Sequence, residues 1–240
     1  MYLAGGSDAR LESRTITLSG DLDGDGSAEE FAVRLIADQN RYGQFEVAIK
    51  NVTFKSIGDY LSGDARIVDV DANDRWREIA VPQLGPSNDD SVLLLRYDGK
   101  KIELVGHVPG ENPVFDGSGA IATKCRGKIL CTWWYPSTYR WSDAAQVFVE
   151  VPQPFKPMSI DVTLRHSLEI AAKPAFPLTG TQTLSPGTRA TIDLTDDELW
   201  CRIRTANAQA GWFRVQDGRV ASYPAGVPAA EMFGGLPLAD

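Results

Sequence analysis

Apolar and polar residues alternate in short runs along most of this chain, which is the period of a half-buried β-strand. Thr15-Ile16-Thr17-Leu18, the run from Phe31 to Ile36, and the series Phe45, Val47, Ile49 all follow it. Ser91 to Arg96 and Lys101 to Val105 bracket Asp98-Gly99, a pair that accepts positive φ and so suits a tight hairpin. Gln146 to Val151 completes this part of the chain. No segment sustains a helical period, so the expected fold class is all-β.

Val151 to Pro157 carries Pro152, Pro154 and Pro157, the composition of an extended linker. The expected organisation is a first region over 10–155 and a second over 158–240, ending in the apolar tail Met232 to Leu238. An open sheet edge invites aggregation. The tail is therefore expected to act as a strap, with the second region packed on the first through an apolar interface.

Asp21 and Asp69 stand 48 residues apart (69 minus 21) and open two similar acidic stretches. Gly20-Asp21-Leu22-Asp23-Gly24-Asp25-Gly26-Ser27-Ala28-Glu29-Glu30 matches Val68-Asp69-Val70-Asp71-Ala72-Asn73-Asp74-Arg75-Trp76-Arg77-Glu78. Oxygen donors at alternate positions of a turn, followed by a carboxylate, suit a hard cation such as Ca²⁺. In the first loop the donors are Asp21, Asp23, Asp25 and the Ser27 carbonyl, with Glu29 or Glu30 closing the shell. In the second, Asp69, Asp71, Asn73 and Glu78 remain, but Arg77 falls opposite Glu29, so this site is weak or vestigial. An EF-hand does not fit, because strands rather than helices flank the loops. The alternative is an aspartate-rich turn whose carboxylates only cap its own backbone.

Both stretches resemble FG-GAP or VCBS-type repeats, the blades of integrin-like β-propellers, with the pattern strand, D-x-D-x-D-G-x-x-[DE], strand. The resemblance implies four-stranded blades, calcium in the loops and a binding or adhesive role. A span of 10–155 holds about three such blades, whereas closed propellers use four to eight. The first region is thus a partial or atypical propeller. Leu184 to Ile192, with its Pro186-Gly187 turn, precedes Trp200-Cys201-Arg202-Ile203 and Gly211-Trp212-Phe213. That succession resembles a bacterial SH3-like barrel, which implies either ligand binding or support of a neighbouring domain. Trp200 and Trp212 are expected to cover its small core, or Trp212 to form a ligand platform.

A formal charge of −8 and the lack of any Lys/Arg run argue against nucleic acid. No apolar stretch is long enough to span a membrane. The first eight residues lack the regions of a signal peptide, but calcium loops suit a compartment rich in that ion, so a secreted or cell-surface location is expected. Cys125 and Cys131 fall on opposite sheet faces if Arg126 to Lys128 is a turn, which disfavours a disulfide. His107 and His166 belong to no metal or triad spacing.

Trp133-Trp134-Tyr135-Pro136-Ser137-Thr138-Tyr139-Arg140-Trp141 is the other candidate site. Adjacent Trp133 and Trp134 on one strand point to opposite faces, so one covers a second layer or is exposed as a stacking platform. Tyr135, Tyr139 and Trp141 extend this ligand-binding candidate. The expectation is an extracytoplasmic, calcium-stabilised binding protein for a cell-envelope glycan, peptide or surface protein. Alternatives are a cell-wall hydrolase with unidentified carboxylates and a structural accessory subunit.

Overall fold

The computed structural model describes residues 12–38, 41–57, 61–62, 64–85, 89–220 and 226–237. The first eight residues, residues 10–11 at the head of the expected first region, and Leu238 of the tail lie outside them. The regular structure of the described chain is almost all strand, with one short helix, as the alternation predicts. It divides into two compact units, one of Met1–Lys124 with Ser137–Val151, the other of Cys125–Pro136 with Pro152–Asp240.

Three four-stranded antiparallel sheets follow one another along the chain. The first is β1 (Arg14–Gly20), β2 (Glu29–Asp38), β3 (Arg41–Ile49) and β4 (Val52–Ile57). The second is β5 (Arg66–Val68), β6 (Glu78–Gln83), β7 (Ser91–Tyr97) and β8 (Ile102–Pro109). The third is β9 (Glu111–Phe115), β10 (Ala120–Gly127), β11 (Trp133–Ser142) and β12 (Val147–Glu150). In each, neighbours in sequence are neighbours in space. The β7–β8 turn puts Gly99 at φ 87°, and a Cβ there would lie 2.8 Å from Asp23 Oδ2. Glycine both permits that turn and lets it approach the first acidic loop.

Burial follows the alternation in the first sheet, where Phe31, Val33 and Leu35 of β2 and Phe45, Val47 and Ile49 of β3 turn inward. The second sheet differs, because β6 and β7 are buried on both faces and so read as continuous apolar runs. Ile79, Val81, Leu93, Leu95 and Tyr97 join the first sheet's face in one core, while Ala80, Val92 and Leu94 are buried on the other side. A Cβ on Gly106 of β8 would lie 3.3 Å from both Leu94 and Phe148, so β12 closes directly on β8. Each fully buried aliphatic side chain contributes about 1.5–3 kcal/mol.

The second unit is built on β13 (Lys156–Leu164), β14 (Leu168–Ile170), β15 (Gln182–Leu184), β16 (Arg189–Thr195), β17 (Trp200–Thr205), β18 (Ala210–Gln216), β19 (Arg219–Val220), β20 (Val227–Pro228), α1 (Ala229–Met232) and β21 (Phe233–Gly234). All but β14 and β15 of these strands form a curled half-barrel sheet in the order β20-β19-β18-β17-β16-β13-β21. β14 and β15 make a separate hairpin, tied to the sheet through Ala171 and Trp212. Met158, Ile160, Val162 and Leu164 alternate inward from β13 and meet Ile192, Ile203 and Phe213 in a buried apolar set. Met232 and Phe233 of the tail are buried in this unit, with Phe233 paired to Leu164. Cys125, Cys131 and Cys201 are free thiols. Burial pushes the Cys131 thiol up to about 11 and raises Cys201 as well, which keeps both protonated and inert.

Candidate metal centre

β1 and β2 pair until Gly20 meets Glu29, and the residues between them must turn in a tight acidic loop. Asp21 builds that loop by accepting the Gly24 N–H at 2.8 Å and the Gly26 N–H at 3.0 Å, with both glycines at positive φ. Asp23 accepts the Asp25 N–H at 3.1 Å, and Asp25 accepts the Ser27 N–H at 2.7 Å. These are the Asx-type bonds of an aspartate-rich turn. They leave further lone pairs on every carboxylate.

Carboxylate oxygens of Asp21, Asp23 and Glu29 converge within 4.8 Å of one another. Asp23 and Glu29 are buried and Asp21 is half-buried, so three like charges share a partly desolvated site. The hard-oxygen donor set fits Ca²⁺ and provides three of its six to eight ligands. Glu29 rather than Glu30 points here, since Glu30 is exposed on the opposite face of β2. Asp25 is exposed and lies outside the converging carboxylates, and Ser27 is exposed beside it. Glu29 Oε2 accepts the Leu22 N–H at 3.1 Å, and its Oε1 pairs with the Lys50 ammonium at 3.1 Å. The bond to Glu29 raises the Lys50 pKa. Lys50 sits in the β3–β4 turn with its side chain half exposed, so it can leave the carboxylate without disturbing the core.

The second loop joins β5 to β6, where Val68 pairs with Glu78. Asp71 Oδ1 accepts both the Asn73 N–H and its side-chain amide at 3.0 Å, and Asp74 accepts the Trp76 N–H at 2.7 Å. Arg77 turns to Asp69 at 3.3 Å. Glu78 is buried and pairs with Arg96, its cross-strand neighbour on β7. Burial raises the Glu78 pKa, against the opposing bond and charge of Arg96. Arginine therefore occupies the carboxylate that a cation would need, and among the described residues the carboxylates of this loop form no group like Asp21, Asp23 and Glu29.

The aromatic candidates divide by strand face. Trp133, Tyr135 and Tyr139 are buried on alternate positions of β11, Trp141 follows them half-buried in the same alternation, and Trp134 is half-buried on the other face. The Trp133 indole lies on Gly127 and donates to the Ile129 carbonyl at 3.1 Å. Trp212 is buried too, its ring 4.7 Å from that of Phe155. These four rings are packing elements, and Trp133 and Trp212 leave little ring surface exposed for a platform. Lys50 and Arg96, the two bases that hold the buried glutamates, were not signalled by the acidic motif. The register of Arg96 opposite Glu78 would have pointed to it, whereas Lys50 lies in the turn just past the β2–β3 ladder. No protein-family model, curated protein or solved structure matches this chain.

Proposed function

We propose that this chain is an extracytoplasmic, calcium-stabilised binding or adhesion protein whose ligand is a cell-envelope glycan, peptide or surface protein. Its first unit would be a partial propeller of FG-GAP/VCBS-type blades and its second an SH3-like barrel. The convergence of Asp21, Asp23 and Glu29 carries the reading. Three carboxylates held this close repel one another, and a divalent cation converts that repulsion into cross-linking of β1, β2 and their loop.

The blade reading is supported by three successive four-stranded meanders, the second of which has two central strands buried on both faces. The barrel reading is supported by the curl of β16 to β18 around Ile192, Ile203 and Phe213. Calorimetric titration of the chelator-treated protein with Ca²⁺ tests the proposal. The expected result is saturable uptake with a rise in melting temperature, both lost in Asp23→Ala. Absence of uptake by the intact protein would overturn it.

A further inference from the structure

Arg96 lies between two indoles, 4.4 Å from the ring centre of Trp141 and 5.5 Å from that of Trp76. Its Nε and Nη2 are held by the buried Glu78, and Asp74 lies 3.9 Å away. Trp141 is fixed in turn by its indole N–H to Asp143 at 3.0 Å and by the edge of Phe148. Two clefts, of about 290 and 360 Å³, open beside this stack, and Trp76, Arg96 and Trp141 line both. Together they fall within the usual range of small-molecule sites.

We propose that this paired cleft binds a neutral oligosaccharide. The inference rests on the reading of the chain as a binding protein and names the ligand class and the site. Asp71 and Asp74 line one cleft, and Asp98, Lys101, Glu103 and Gln146 line the other. Four carboxylates face two cations, Arg96 is already matched to Glu78, and Lys101 is bonded to Glu103 at 2.7 Å. An anionic ligand meets net repulsion here. A cationic ligand finds the space between the rings filled by a guanidinium, which repels it and occupies the cation–π position. Arg75 already lies 4.1 Å over the Trp76 ring, so what remains is an uncharged molecule with a C–H face for Trp141 and hydroxyls for alternating acceptors and donors. A sugar ring has that chemistry. The rigidly held Arg96 and Trp141 offer these groups at little ordering cost.

The test uses four tetrasaccharides of matched length with the full chain in calcium buffer: cellotetraose and chitotetraose, both neutral, tetragalacturonate, anionic, and a chitosan tetramer, cationic. Isothermal titration and tryptophan fluorescence should show at least one neutral tetramer binding about tenfold or more tighter than either charged one. Trp141→Ala should weaken binding about tenfold or more, whereas Trp141→Phe, which keeps a flat face, should retain most of it. Gln146→Ala, an exposed change that spares the core, should cost a few-fold. A retained calcium-dependent melting shift in each variant shows that the fold and the metal site persist, so loss of sugar binding is separable from failure of the calcium reading. The proposal is overturned if neither neutral tetramer binds at about 5 mM, if a charged tetramer binds as well, or if the folded variants bind like the parent.

Discussion

Glu29 and Glu78 hold one and the same position in two successive sheets. Each opens the second strand of its sheet opposite the last residue of the strand before it, Gly20 or Val68. Each is 1% exposed. Each is matched to a base, Lys50 or Arg96. They stand 49 residues apart (78 minus 29), one more than the aspartates before them, so the second loop carries one extra residue. The carboxylate that an unbroken alignment counts as replaced by Arg77 is therefore present, displaced by one position.

The two glutamates should nevertheless behave differently with pH. Burial lifts Glu78 above its ordinary value of 4.5 in the folded state. The folded protein then binds that proton more tightly than the unfolded one. This group's contribution is full below its ordinary value and is lost as pH rises through the lifted one. Glu78→Gln mimics the protonated form, so variant and parent should melt together at about pH 4, with the variant gaining relative stability towards about pH 7. Scanning calorimetry across that interval checks it. A melting-temperature difference that does not change with pH would show that Arg96 fully compensates the buried charge.

At the first loop the base is a competitor. Lys50 holds Glu29 Oε1 at 3.1 Å, an oxygen that a metal would use, and places a positive charge beside it. Lys50→Gln should raise calcium affinity about threefold or more. Titration calorimetry against the parent reads this directly. Unchanged affinity would mean that calcium does not engage Glu29.

How much of this was visible in the sequence depends on whether the signal was local. The alternation in β2, β3 and β13 and the Asp98-Gly99 turn specify strands and a hairpin through neighbouring residues alone. The first acidic loop was legible for the same reason, since Asp21, Asp23 and Glu29 lie within nine positions of one another. The pairing of Glu78 with Arg96 was not, because cross-strand register decides it and one inserted residue shifts that register. The stacking of Trp76 on Arg96 and Trp141 was invisible too, since it joins β7 to a loop and to a strand of another sheet. Trp133 and Tyr135 looked like surface candidates because aromatic composition does not report which face of a strand is covered.

Within the second unit, one side chain holds a distant excursion of chain in place. Asp197 accepts the N–H groups of Lys128 at 2.6 Å and Ile129 at 3.0 Å, and pairs with Lys156 at 3.3 Å. Burial pulls the Lys156 pKa down, but its bonds to Tyr135 and Asp197 outweigh this and the net shift is upward. Asp197→Ala leaves two backbone donors without a partner and a mostly buried ammonium with Tyr135 alone, at φ 63° where alanine is also strained. The expected loss is about 3–5 kcal/mol. Urea denaturation measures it, and a loss under about 1 kcal/mol would show that water replaces the carboxylate.

The tail is the other closure of this unit. Gly234 pairs with Thr163 and Phe233 with Leu164, so the chain end adds itself to the edge of β13, where an unpaired strand would otherwise face water. Phe233 is buried, with its ring centre 5.5 Å from that of Phe213, and Met232 beside it is fully buried. The strap expected from the apolar composition of 232–238 thus has its anchor inside its own unit. Phe233→Ala should cost about 3–5 kcal/mol, and removal of residues 231–240 at least as much, since it strips β21 along with both anchors. Glu231→Ala, an exposed change on the same turn of helix, should stay within about 0.5 kcal/mol of the parent. Equilibrium urea unfolding of the three variants decides the matter. If the truncated chain unfolded at the same urea concentration as the parent, the core of this unit would be complete without its tail, and the apolar residues there would need another partner.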